Sequence, residues 1–261
     1  MQMHIKRAVF LTACLVASGV WAGIAPPIHA VAPASLPAGS AELRCGFDYS
    51  YDELPMFQTA GAQRELYRLP DLTLTVGMSD RVELVFNFPW LWLKQDGAST
   101  KTGPGDLKIT GIYNLVKETD STPACSLILA TKLPDANYDK GLGTDRTDFW
   151  AGGAFSKTVG RLYLLANASL GLLDKPTGET DQDDVFVYDV GSVYSITHDL
   201  SAGCGLDGIY NSRFGNDRIV VRGGIAFKTD LGTFDLSAGT GLNRDSGDLH
   251  VTTGFSTAFA F

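Results

Sequence analysis

Leu72-Thr73-Leu74-Thr75-Val76-Gly77-Met78, then Ser79-Asp80-Arg81, then Val82-Glu83-Leu84-Val85-Phe86-Asn87-Phe88, alternates on both sides of a short polar turn. Leu72, Leu74, Val76 and Met78 are apolar, with Thr73, Thr75 and Gly77 between them. After the turn, Val82, Leu84, Phe86, Phe88, Trp90 and Trp92 share one phase, and Glu83 and Asn87 take the other. Side chains on a strand point to opposite faces with period two, so this spacing predicts a β-hairpin with one apolar face.

The same pattern runs on to the C-terminus. Ile109 and Tyr113 oppose Lys108, Thr110 and Asn114; Leu127 and Leu129 oppose Ser126 and Lys132; Phe149, Ala151 and Phe155 oppose Asp148 and Ser156. Leu162, Leu164 and Leu170 oppose Tyr163, Asn167 and Ser169, and Phe186, Tyr188, Val190 and Tyr194 oppose Asp189. Leu206 and Tyr210 oppose Asp207, Ile219, Val221 and Phe227 oppose Arg218, Arg222 and Lys228, and Phe234 and Leu236 oppose Asp235. The final segment sets Leu249, Val251, Phe255, Phe259 and Phe261 against His250, Thr252 and Ser256. These make eleven strands from residue 70 onward. A closed single-chain barrel takes an even number, and Leu43, Cys45, Phe47, Tyr49 and Tyr51 supply the twelfth.

Short turns near 79–81, 118–123, 158–160, 195–199 and 229–232 alternate with longer links near 53–69, 94–104, 134–146 and 173–184, and with two shorter ones near 211–216 and 243–247. That asymmetry is the one between periplasmic turns and extracellular loops, and it puts both chain ends on the periplasmic side. It also sorts the apolar-phase aromatics. Trp90, Trp92, Phe149, Phe186, Tyr188 and Tyr210 come near the outer rim, and Phe155, Tyr194, Phe227, Phe234, Phe259 and Phe261 near the inner rim. Two aromatic belts suit the two interfaces of a membrane, whereas a soluble barrel turns its apolar phase inward. The expected fold is an all-β transmembrane antiparallel up-and-down barrel of about twelve strands, in the outer membrane of a Gram-negative bacterium. A chain ending on an aromatic of the correct phase predicts that Phe261, with Phe259, is the signal read by the barrel-assembly machinery.

The first residues are set apart from that barrel. Lys6 and Arg7 precede an uncharged run from Ala8 to Trp21, followed by Pro26 and Pro27, which is the order of a secretory signal peptide. Cleavage after Ala22 (Val20-Trp21-Ala22) and after Ala30 (Ile28-His29-Ala30) both satisfy the small-residue rule, and residues 1–30 are assigned to the signal with the barrel domain over 31–261. Leu11-Thr12-Ala13-Cys14 resembles a lipoprotein cleavage box, but the apolar run continues well past Cys14. No later apolar run reaches the length of a spanning helix. The mature chain carries 19 Lys and Arg against 29 Asp and Glu, an acidic balance with no basic block, which does not suit nucleic-acid binding. Cys45, Cys125 and Cys204 are odd in number and lie in the apolar phase, so they read as small hydrophobes and not as a disulfide framework or metal site.

Gly103-Pro104-Gly105-Asp106-Leu107-Lys108 resembles the Gly-x-Gly-Asp-Leu lead into a strand of a known family, first labelled for a phenol-degradation (MetA) pathway and including outer-membrane exporters of functional amyloid. Thr131-Lys132-Leu133-Pro134, Gly141-Leu142-Gly143-Thr144 and Phe155-Ser156-Lys157 are similar to its central signature, and the resemblance covers roughly residues 65–261. It implies a twelve-stranded outer-membrane barrel acting as a channel or transporter, with small hydrophobic or aromatic solutes. The amyloid exporters carry an extended N-terminal plug and coiled coil, for which residues 31–41 leave little room.

The phase opposite the lipid face is charged. Glu42, Arg44, Asp48, Glu83, Asp106, Lys108, Lys132, Asp148, Asp189, Asp207, Arg218, Arg222, Lys228, Asp235 and His250 are expected in the lumen. Hairpin symmetry sets Asp207 beside position 220, between Arg218 and Arg222. Asp207, Arg218, Arg222, Glu83, Lys108, Lys132, Asp148 and Asp189 are therefore candidates for a selectivity-setting constriction, and a salt-bridged interior that holds strand register explains the same pattern. Asp135-x-Asn137-x-Asp139 begins like a calcium loop, but Lys140 and Arg146 stand where Gly and Glu are needed, so no metal is expected there. The acidic link with Asp174, Glu179, Asp181, Asp183 and Asp184 reads as a solvated loop, or as one sharing divalent cations with lipopolysaccharide.

Gly103-Pro104-Gly105 opens a strand and not a helix, so no phosphate-binding cofactor is expected. His198 sits in a short turn, and His250 is placed near Ser246 in the lumen, away from the lipid face where a lipid hydrolase needs its Ser–His pair. The expectation is a channel and not an enzyme, with membrane lipid, lipopolysaccharide, the assembly machinery and a small solute as partners. A structural or adhesive barrel acting through its loops is the alternative, and a lipid hydrolase is a more remote one.

Overall fold

The computed structural model describes residues 24–25, 27–28, 30–33, 36–53, 63–174, 183–211 and 217–261. Two short strands, β1 (Ile24–Ala25) and β2 (Ala30–Val31), pair with each other. The remainder runs β3 (Ser40–Glu53), β4 (Arg64–Ser79), β5 (Val82–Gln95), β6 (Lys101–Pro104), β7 (Lys108–Val116), β8 (Ala124–Lys132) and β9 (Asp148–Val159). Then come β10 (Leu162–Leu173), β11 (Asp183–Ser195), β12 (Leu200–Asn211), β13 (Arg218–Thr229), β14 (Gly232–Gly241) and β15 (Ser246–Ala260). Apart from β1, β2 and β6, these strands pair antiparallel with their sequence neighbours, and β15 pairs with β3. The result is a closed twelve-stranded ring, in which every wall strand finds two partners. Closure leaves no open edge in lipid, where an unpaired backbone amide has no water to bond.

The seam joins Thr257 to Leu43 and Leu249 to Tyr51, the pairing of last and first strands expected from the alternation. Phe261 extends it, its amide donating to the Gly39 carbonyl at 2.9 Å, while the Gly39 amide donates to Gly77 at 3.1 Å. The outer face carries the apolar phase. Trp90, Trp92, Phe149, Phe186 and Tyr210 are exposed toward one rim, and Phe155, Tyr194, Phe227, Phe234 and Phe259 toward the other. The opposite phase turns inward and is buried as Ser, Thr, Asn and charged side chains, so this is a membrane barrel with a polar lumen.

Three expectations change. The link drawn over 53–69 is shorter, because β4 begins at Arg64. Pro70 cannot donate to a ladder, and the chain absorbs it with a register shift between Arg68 and Asp71 that flips the side-chain phase. Within the link drawn over 94–104, Lys101–Pro104 pairs back onto Trp90–Leu93 as β6, extending the β5 wall beyond the first residue of β7. The 134–146 link is packed against the wall: Ala136 and Leu142 are buried with lumen-facing Leu91 and Leu93, and Leu66 packs beside them. The acidic residues Glu179 and Asp181 and the 212–216 link lie outside the described residues.

Candidate functional site

Strand β3 presents Asp48 inward, and its C-terminal end presents Glu53. The longer β4 brings Arg68 opposite Asp48 (their backbones are register partners), and the guanidinium bonds that carboxylate. Across the lumen side of β12 and β13, Asp207 is registered on Val220, as hairpin symmetry predicts. Only one flanking arginine closes on it: Arg222 Nε donates to Asp207 Oδ1 at 2.6 Å. Arg218 reaches instead to the Glu53 carboxylate, a link between β13 and β3. Thr252 on β15 adds a hydrogen bond to Asp48 Oδ2 at 2.9 Å. These groups enclose a cavity of about 200 Å³, lined also by Gly208, Ile209, Ser246 and His250. Three arginines thus face three carboxylates around one cavity.

A second cluster sits on the facing wall. Lys132 at the end of β8 lies 2.6 Å from Asp148 Oδ2 and 3.4 Å from Asp106 Oδ2, and donates to Thr144 Oγ1 at 2.8 Å. Asp106 in turn accepts the Ala136 amide at 2.9 Å, and Asp148 accepts the Asp174 amide at 3.1 Å. These contacts pin the 134–146 link against the mouth. Lys108 on β7, the register partner of Lys132, holds its ammonium 5.0 Å from the Trp150 ring centre, and its side chain is exposed although it points inward.

Nearer the periplasmic end the interior is more tightly packed. Arg44 on β3 bonds Asp235 on β14 through Nη2 at 2.8 Å and Nε at 3.2 Å, with side chains 8% and 0% exposed. The guanidinium lies across Gly46 and Gly254: a Cβ added at Gly254 would sit 2.5 Å from Arg44 Cζ, so a larger residue there would push the guanidinium aside. Glu83 is fully buried and accepts the Leu36 amide.

The structure therefore gathers Asp207, Arg218, Arg222, Asp48 and His250 into one cavity, and Lys132, Asp148 and Asp106 into a separate ion-pair cluster. Asp189 is cross-strand from Asn167 and from Asp207, while Glu83 lies apart from all of them. Arg68 and Glu53 complete the first cavity and fall within the stretch read as a link; the phase flip at Pro70 hid Arg68. His250 Nε2 faces the Ser246 carbonyl oxygen at 2.6 Å, and the Ser246 hydroxyl turns to Asn243, so the histidine does not face that hydroxyl as a nucleophile's base must. Among the described residues no group of three or more His, Cys, Asp or Glu side chains is placed to hold a metal ion.

The model of the family described as "Putative MetA-pathway of phenol degradation" matches residues 57–259. Among solved structures, an outer-membrane channel of Pseudomonas putida F1 superposes with a TM-score of 0.66 at 15% identity, covering 87% of this chain and 98% of that one. The NanC porin superposes with a TM-score of 0.53 at 11% identity, covering 85% of this chain and all of the other. At these identities the likeness shows the shared barrel fold. No curated protein matches the chain.

Proposed function

We propose a function for a chain that belongs to the MetA-pathway family of phenol degradation: it is an outer-membrane channel whose solutes are small and carry charge. The observation that supports this most is the cavity of about 200 Å³ bounded by Arg68, Arg218 and Arg222 on one hand and Asp48, Glu53 and Asp207 on the other. Rings of fixed charge in a water-lined passage select by sign and size. Here each cation has a carboxylate beside it, so the walls offer hydrogen bonds to either end of a solute while their own charges stay compensated. A passing carboxylate can exchange with an acidic partner on Arg218 or Arg222, and the return of that partner releases it. Aromatic acids fit this reading; neutral hydrocarbons, which gain nothing from such walls, do not.

Asp207, Arg218 and Arg222 would then act directly on the solute. Lys132, Asp148 and Asp106 would hold the mouth, Lys108 and Asp189 would line the route, and Glu83 would serve the periplasmic end. The C-terminal Phe259 and Phe261 would be read by the barrel-assembly machinery, and the acidic outer links would meet lipopolysaccharide. Liposome swelling tests the solute class. Purified protein should admit benzoate-sized carboxylates faster than uncharged aromatics of equal size, and Arg218→Ala with Arg222→Ala should remove that preference. Equal rates for both classes in the wild-type protein would contradict the reading. Swelling by neither, with no uptake defect in cells lacking the protein, would favour a barrel that acts through its loops.

A further inference from the structure

The register sets Lys108 of β7 directly opposite Lys132 of β8 on the lumen face, and like charges placed so repel. Lys132 is compensated twice, by Asp148 at 2.6 Å and Asp106 at 3.4 Å. Lys108 is not. Among the described residues no carboxylate comes within ion-pair distance of its ammonium, and no acceptor takes its hydrogens. Asp189 on β11 acts on it only from farther away. What it does have is the Trp150 ring, whose centre lies 5.0 Å off. A ring face offsets only part of an ammonium's charge, so the rest is turned to the lumen.

Trp150 is set apart from the other barrel tryptophans. Phe149 and Ala151 take the lipid phase of β9, which turns Trp150 inward. The outward Trp90 and Trp92 both use their indole N–H groups, donating to Thr102 Oγ1 at 2.9 Å and to the Leu69 carbonyl at 3.2 Å. Trp150 Nε1 has no acceptor among the described residues. The ring lies over the backbone of its register partner Gly171, where an added Cβ would come 2.5 Å from Nε1, so a larger residue there would displace it. On β8 the residue registered on Trp150 is Ala130, too short to part the indole from the lysine. Ammonium, ring face and indole N–H thus form one amphipathic surface. Asn167, Asp189 and Asp207 make a cross-strand row toward Arg222, and neither Lys108 nor Trp150 lines the arginine cavity.

We propose that Lys108 and Trp150 form a second binding step on the lumen wall, separate from the arginine cavity, for aromatic carboxylates. The carboxylate pairs with the ammonium, and the solute's ring packs on the indole in the offset or edge-on arrangements that aromatic pairs prefer. A carboxylate without a ring gains the ion pair alone, and a neutral aromatic gains the ring contact alone. The step therefore favours the molecule that has both. Binding stands on these two side chains; a part in passage rests on the channel reading above. A structural role fits Lys108 poorly, because its repulsion from Lys132 works against the fold.

Trp150 itself reports the test. Trp90→Phe with Trp92→Phe leaves it the only tryptophan of the wall strands, and the protein is read in phospholipid vesicles. Benzoate should quench its fluorescence saturably, and cyclohexanecarboxylate and benzyl alcohol should each compete about tenfold more weakly. Lys108→Met should weaken benzoate about tenfold, Lys108→Arg should recover most of that loss, and Arg218→Ala with Arg222→Ala should leave it unchanged. The urea midpoint of Lys108→Met should not fall, as it would for a structural lysine. No saturable quenching, equal competition by all three probes, or an affinity that follows the arginines and ignores Lys108 would overturn the proposal. The two readings fail separately. Quenching of the stated pattern in a barrel that passes no solute would support the site and contradict the channel; benzoate-selective swelling with no quenching would overturn the site and leave the channel standing.

Discussion

Arg44→Met removes one partner of the most deeply buried ion pair in the lumen while keeping the volume of the side chain. Asp235 would be left with its carboxylate 0% exposed, deprived of two hydrogen bonds at 2.8 and 3.2 Å. Taking one partner from a buried pair costs about 3–5 kcal/mol, because the remaining charge stays buried without its bidentate counter-ion. Arg44→Met combined with Asp235→Asn removes the buried charge as well, and should recover most of that loss. The exposed pair Lys94–Glu65, 3.4 Å apart with side chains 53% and 34% exposed, is the control; Lys94→Met should leave stability nearly unchanged. The assay is urea unfolding of the barrel in phospholipid vesicles, followed by the fluorescence of Trp90, Trp92 and Trp150. An Arg44→Met loss below about 1 kcal/mol, or a double variant no more stable than the single, would refute the claim that this ion pair is sealed from water.

Further outcomes follow from the same geometry. Arg222→Ala strips Asp207 of its 2.6 Å partner. One uncompensated charge about 5 Å from a passing ion is worth about 0.8 kcal/mol at water's dielectric constant and about 3 kcal/mol at an effective value of 20. The cation-to-anion permeability ratio, read from reversal potentials in a salt gradient, should therefore rise at least fourfold, and Asp207→Asn should move it the other way. Val190→Arg, on the lipid face of β11, should cost about 2–4 kcal/mol in vesicle unfolding, whereas Asp189→Asn beside it, facing the lumen, should change stability little. Deletion of Phe261 should slow assembly, seen as unfolded, heat-unmodified protein accumulating in the periplasm. Unchanged assembly kinetics would leave that residue only its 2.9 Å tie to Gly39.

The barrel was legible because two faces of opposite solvent leave a period-two trace in every strand, and because closure demands that Leu43–Tyr51 meet the segment ending at Phe261. The register of Asp207 on Val220 followed from the hairpin alone. What the alternation could not carry was any position where the phase breaks. Pro70 and the register shift beside it reverse the faces of Arg64 to Arg68, so a strand read as a link and the cavity residue Arg68 went unseen. Nor does alternation choose partners. Asp207 stands between two arginines in sequence register, yet Arg218 swings to Glu53 across a strand pair that sequence does not connect.

The central claim, a conducting outer-membrane barrel with a charged lumen, is tested most directly by planar-bilayer recording of the purified wild-type protein beside Arg218→Ala and Arg222→Ala. The structure predicts discrete conductance steps for the wild type, and a shift of reversal potential toward cation selectivity in both variants. A folded, membrane-inserted barrel that gives no steps, or steps whose selectivity ignores both arginines, would contradict it.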